Sequence, residues 1–157
     1  MVKHNQNIVI NSNIEKSWGF LIDLSRSLIF DRFFTRIELP SKYSINQEYI
    51  FTVKGNYFFS IYNMKANILK TTPPSLISIK FSDKNLVINK KFILSVMGEQ
   101  TILSYNFEGD FGNVAKNILI FPFIKLSCLN ELRYIKKAME SSEFYPDKKI
   151  NTASSYK

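Results

Sequence analysis

Two hydrophobic rhythms meet near residue 110, and their order limits the folds open to the chain. From Tyr49 to about Asp110 apolar and polar residues alternate, the period of half-buried strands. From about Val114 to Ser141 apolar residues return every three or four positions, the period of a helix. A run of strands closed by one long helix predicts an α+β domain, with the helix packed lengthwise on a sheet.

The strand run divides at its turn signals. "EYIFTVKG" sets Tyr49, Phe51 and Val53 against Ile50, Thr52 and Lys54, and Gly55-Asn56 reads as its hairpin turn. "YFFSIYNMKANILK" predicts a long strand with Phe58, Tyr62, Met64, Ala66 and Ile68 on or close to one parity. "TTPPS" ends it, because two prolines remove ladder donors. "LISIKF" then places Ile77, Ile79 and Phe81 on one side, and "SDKN" turns the chain. "LVINKKFILSVM" carries Phe92 and Leu94 on one face with Lys90 at the same parity, and "TILSYNFEG" carries Leu103, Tyr105 and Phe107.

The predicted helix stripe is Val114, Ile118, Phe121, Ile124, Cys128, Leu132, Ile135 and Met139. Pro122 either kinks this helix or begins it, since an interior proline loses a backbone bond and clashes with the preceding turn. Residues 1–143 read as a single domain and 144–157 as a polar, loosely ordered tail. Ahead of the strands, "NIVI" reads as a strand and Asn13 as the N-cap of a helix with Ile14, Trp18, Leu21 and Ile22 toward the core. Core packing is therefore expected of Trp18 rather than ligand stacking, and "SRSLIFDRFF" predicts a second short helical segment.

Of the 157 residues, 15% are aromatic, with 14 Phe and 8 Tyr, which calls for a thick core or a lined cavity. The net charge of +8 biases the chain toward anionic surfaces. Its lysines are scattered, paired only at 90–91, 136–137 and 148–149, so no basic block dedicates it to nucleic acid. The single Cys128 excludes an intramolecular disulfide and fits a reducing compartment. With no secretory h-region and no run of about 18 apolar residues, a soluble cytoplasmic protein is expected.

Chemistry-bearing motifs are sparse. His4 has no second His or Cys to complete a metal set, and Cys128 sits in the apolar stripe as a small hydrophobe, so neither a metal nor a cofactor is expected. No phosphate-binding glycine loop, nucleophile elbow or zinc-protease motif occurs.

The order strand, two short helices, strand run and closing helix resembles the helix-grip fold of the START and pollen-allergen superfamily, also called SRPBCC or polyketide cyclase-like. "IVINSNIEKSWGFLIDL" is similar to its opening pattern through Ile10, Glu15, Trp18, Leu21 and Asp23. "TTPPSLISIKF", "GEQTILSYNFEGD" and "LNELRYIKKAMES" resemble its proline-containing hairpin, its last strand and its closing helix. The resemblance implies a curved antiparallel sheet of about seven strands with the long helix packed across it, and between them a pocket for a small hydrophobic or amphipathic ligand such as a lipid, isoprenoid or aromatic polyketide.

With strand parity, it names the wall. From the strands come Phe51, Phe58, Tyr62, Met64, Ile79, Lys90, Phe92, Leu94, Leu103 and Tyr105; from the helix come Phe121, Ile124, Cys128 and Leu132. The alternative is that these side chains simply fill the core. Tyr62 and Tyr105 offer hydroxyls that could orient a ligand. Lys90, if it points inward, is expected to have its pKa lowered by desolvation and to serve as a base or anion anchor.

Two other functions remain open. One is a cyclase- or dehydratase-type enzyme, which requires a titratable group such as Lys90 or Glu99 beside Tyr62 or Tyr105. The other is an interaction module in which "NILIFPFIKLSCL", with Lys116 and Lys125, meets a membrane surface or a protein. The oligomeric state is not legible.

Overall fold

A computed structural model of the chain describes residues 1–31, 34–39, 50–57, 60–141 and 151–152. The elements run in the order β1 (Val2–Ile10), α1 (Ile14–Ile22), α2 (Leu24–Ser27), a 3-10 turn (Leu28–Phe30), β2 (Phe34–Leu39), β3 (Ile50–Tyr57) and β4 (Ser60–Thr72). β5 (Leu76–Asp83), β6 (Leu86–Met97), β7 (Gln100–Asp110), α3 (Val114–Glu140) and β8 (Asn151–Thr152) complete the chain. The sheet order is β1-β7-β6-β5-β4-β3-β2-β8. Strands β1 to β7 pair antiparallel, and two residues of the predicted tail, 151 and 152, pair parallel with β2.

Binary alternation built the sheet. Leu86, Ile88, Lys90, Phe92 and Leu94 of β6 are buried on one face, as are Thr101, Leu103, Tyr105 and Phe107 of β7. The register aligns Ile79 with Lys90 and Lys90 with Phe107, and the next row aligns Ile77, Phe92 and Tyr105. Gly109 belongs to the same face, where a Cβ would lie 2.8 Å from the Phe111 ring and 2.9 Å from that of Phe107. A side chain there would push the two rings apart.

Several sequence readings need correction. Gly55 and Asn56 pair with Tyr62 and Ile61 inside the β3–β4 ladder, so the hairpin does not turn at them. β1 begins earlier than the "NIVI" reading, because polar residues at its start still pair with β7. The last helix begins at Val114 and continues through Pro122. Its start is set by Asn113, whose side-chain oxygen accepts from the Lys116 amide at 2.8 Å. Replacing Asn113 with alanine is expected to lower stability by about 1 kcal/mol, measured as a shift in urea midpoint.

The rotation of α3 also departs from the predicted stripe. Asn117, Ile120 and Ile124 face inward, while Val114, Ile118 and Phe121 are exposed. Asn117 explains the difference: its Oδ1 accepts from the Phe111 amide at 3.1 Å and its Nδ2 donates to Asp110 at 3.3 Å. This polar anchor turns the first helical turns toward β7. At the other end Lys136 donates to the Val9 carbonyl at 2.7 Å, and Glu140 accepts from the Asn11 amide at 2.7 Å. α3 is thus strapped at both ends, its carboxyl-terminal end bonded to terminal strand β1 and the residue that follows it.

The amino-terminal reading agrees more closely. Asn13 caps α1 by accepting from the Lys16 amide at 2.9 Å, and Leu21 is buried. Trp18 is half-buried against the core, as are Ile14 and Phe20, a packing position as expected.

Candidate functional site: an enclosed ion cluster beneath the long helix

Four elements send one ionisable side chain each to a single point between sheet and helix. Lys90 comes from β6, Tyr105 from β7, Glu131 from α3, and Asp31 from the residue that ends the 3-10 turn. Strand parity delivers the first two. Glu131 is carried inward because it lies three residues after Cys128 and four before Ile135, on the buried face.

The Lys90 ammonium donates to both Glu131 oxygens, at 2.8 and 2.9 Å, and to Asp31 Oδ2. Tyr105 donates its hydroxyl to Glu131 Oε2 at 3.0 Å. The side chains of Lys90, Asp31 and Glu131 are 1%, 0% and 3% exposed. Aromatic rings complete the cage, with the ammonium 5.2 Å from the Phe34 ring centre and 5.7 Å from that of Tyr105. Phe92 stacks on Tyr105 at 4.8 Å.

One cation therefore faces two carboxylates out of contact with water. Burial alone would push the Lys90 ammonium down, but the charges of Asp31 and Glu131 reverse this and raise its pKa. The expected lowering is thus corrected: the sequence did not reveal that two anions would meet this lysine. Glu131 is pushed up to about 6, by burial first and by the Asp31 charge, with Lys90 opposing. Burial and then the Glu131 charge raise the Tyr105 hydroxyl, and the same two causes lift the Cys128 thiol to about 12. Cys128 is an inert thiol here.

Most of the predicted wall is buried in the core, as both a lined pocket and the alternative of simple core filling require. Met64, Ile79, Lys90, Phe92, Leu94, Leu103, Tyr105, Ile124, Cys128 and Leu132 are all at most 3% exposed. Tyr62 is half-buried at the rim of the core. Phe121 lies on the outer flank of α3, 42% exposed, and not between helix and sheet. Phe58 lies outside the described residues, as does the side chain of Phe51.

Glu99, the carboxylate weighed as a partner for the tyrosines, sits in the exposed β6–β7 turn. The partner of Tyr105 is Glu131, which the helical spacing could have revealed, since it lies between Cys128 and Ile135 of the predicted stripe. Asp31 had no periodic signal, since it follows a short turn. Among the described residues no group of His, Cys, Asp and Glu side chains is arranged to hold a metal.

A curved antiparallel sheet gripping one long helix, with two short helices after the first strand, is the helix-grip fold. Solved structures share it. A protein of Thermus thermophilus superposes with a TM-score of 0.69 at 7% identity, covering 87% of this chain and 96% of that one. The aromatase/cyclase ZhuI of Streptomyces sp. R1128 superposes with a TM-score of 0.67 at 8% identity, covering 88% and 93%. The two-domain aromatase/cyclase StfQ of the steffimycin biosynthetic pathway gives 0.67 at 11% identity, with 88% of this chain matched to 50% of that one. No family model matches the sequence, and no curated protein matches it. At these identities the likeness is one of fold.

Proposed function

We propose that the chain binds a small, largely apolar ligand carrying a hydroxyl or carbonyl group, seated between the sheet and α3. The observation that supports this best is the enclosed cluster of Lys90, Asp31, Glu131 and Tyr105 in an otherwise apolar interface. Packed hydrophobic residues of similar volume would serve stability as well or better, so a buried ion cluster at this position points to use. Apolar walls with a few convergent polar groups are the usual makeup of a small-molecule site. The helix-grip aromatase/cyclases are consistent with a ligand of that character.

The wall side chains pack against one another, so admitting a ligand requires a covering element to move. α3 is bonded at both ends, at Asn117 and at Lys136 and Glu140. The short segment from Leu24 to Phe30, which leads into Asp31, is the other element whose movement would open the interface. Native mass spectrometry after exposure to an apolar extract is expected to show a bound adduct. Tyr105→Phe should reduce its affinity about fivefold, the worth of one hydrogen bond between neutral groups. Absence of any adduct on the wild-type chain would overturn the proposal.

A second reading, a cyclase- or dehydratase-type enzyme, has one observation in its favour. Glu131, with its carboxyl near 6 and the Tyr105 hydroxyl at 3.0 Å, can hold or release a proton close to neutral pH. Recovery of the bound compound chemically unchanged supports the binding reading. Conversion by the wild type but not by Glu131→Gln supports the enzyme.

A further inference from the structure

The exposed side of the amino-terminal half of α3 carries large apolar side chains. Ile118, Leu119, Phe123 and Leu126 are 67%, 65%, 62% and 58% exposed, while Ile120 and Ile124 of the same turns are buried. A soluble surface helix normally turns a polar face outward, and one that is apolar all round normally meets a second apolar phase. Leu119, Phe123 and Leu126 step by four and three residues, so they form a second stripe on the outer surface. Beside this helix half, Met1, Val2, Val114, Ile118 and Phe121 contribute to a groove of about 330 Å³.

Charge identifies the occupant. Between residues 114 and 130 the helix carries Lys116 and Lys125 and no acidic residue. Its second half adds Arg133 and Lys137, while Lys136 and Glu140 pair with each other and the Glu131 carboxylate is engaged inside the fold by Lys90. We propose that the amino-terminal half of α3 docks on an anionic lipid bilayer, its apolar stripe entering the headgroup boundary and its lysines pairing with lipid phosphates. The helix lies in the surface: among the described residues none is long and apolar enough to cross a membrane. A second copy of the chain is a poorer fit, since each copy carries +8 and basic helices would face one another. The inference does not depend on what the interior binds.

Co-sedimentation of the full chain with vesicles tests it. The chain should pellet with phosphatidylcholine–phosphatidylglycerol vesicles at low salt, much less at high salt, and not with phosphatidylcholine alone. Lys116→Ala and Lys125→Ala should each weaken binding about fivefold. Leu119→Glu combined with Leu126→Glu should abolish it while leaving the far-ultraviolet circular dichroism unchanged. Three results would overturn the proposal: no binding to anionic vesicles at low salt, undiminished binding by the double glutamate variant, or a salt-resistant dimer that the same two glutamates dissociate. None of these touches the ligand reading, which is read out in solution without lipid vesicles.

Discussion

Lys90→Met is expected to lower the stability of the folded chain by about 3–5 kcal/mol, seen as a large drop in urea midpoint. The magnitude follows from what the substitution leaves behind. Methionine nearly matches the aliphatic stem, so packing is kept, but Asp31 and Glu131 lose the cation to which both are bonded. Two carboxylates would then be enclosed with no compensating charge. Because protonation removes that conflict, the variant should regain part of its stability as pH falls.

Combining Lys90→Met with Asp31→Asn and Glu131→Gln should recover much of the loss at neutral pH, since no buried charge remains. A loss below about 0.5 kcal/mol in the single variant would place it within the range of ordinary surface changes and contradict an enclosed cluster.

The second large effect is on pH dependence. Glu131 titrates near 6 in the folded chain against an ordinary value of 4.5. The folded state therefore holds its proton more tightly than the unfolded chain does. Between about pH 4.5 and 6 the unfolded carboxyl ionises while the folded one remains largely protonated, so stability falls as pH rises through that window, by about 2 kcal/mol in all. Glu131→Gln removes the slope.

His4, whose pKa is lowered by partial burial and then by Lys125, acts in the opposite direction below its ordinary value of 6.5. Comparing wild type with Glu131→Gln across pH cancels that contribution. Lys90, whose pKa is raised, loses its contribution only at strongly alkaline pH and leaves this window untouched. Parallel stability curves for the two proteins between pH 4.5 and 6 would refute the assignment.

The parts of the site that could be read in the sequence were those generated by a local period. Lys90 and Tyr105 share parity with apolar neighbours on their strands, and a strand turns every second side chain to one face whatever else surrounds it. Cys128 and Leu132 followed from the helical period in the same way. The misplacement of Phe121 came from carrying that period back to Val114, where Asn117 and its bonds to Phe111 and Asp110 set the rotation instead. A polar residue inside a stripe looks like an interruption until its partner in space is known.

The sequence by itself determined the order of elements, the alternating faces of β5 to β7, the cap at Asn13 and the shared parity of Lys90 with Phe92 and Leu94. Each depends on residues a few positions apart, where backbone geometry alone relates them. Only the tertiary structure decided that Asp31, Lys90, Tyr105 and Glu131 meet. They are separated by 59, 41 and 26 positions along the chain in their three pairings, and no local period links them. That meeting reversed the expected shift of Lys90, because burial disfavours an isolated ammonium whereas two enclosed carboxylates hold its proton.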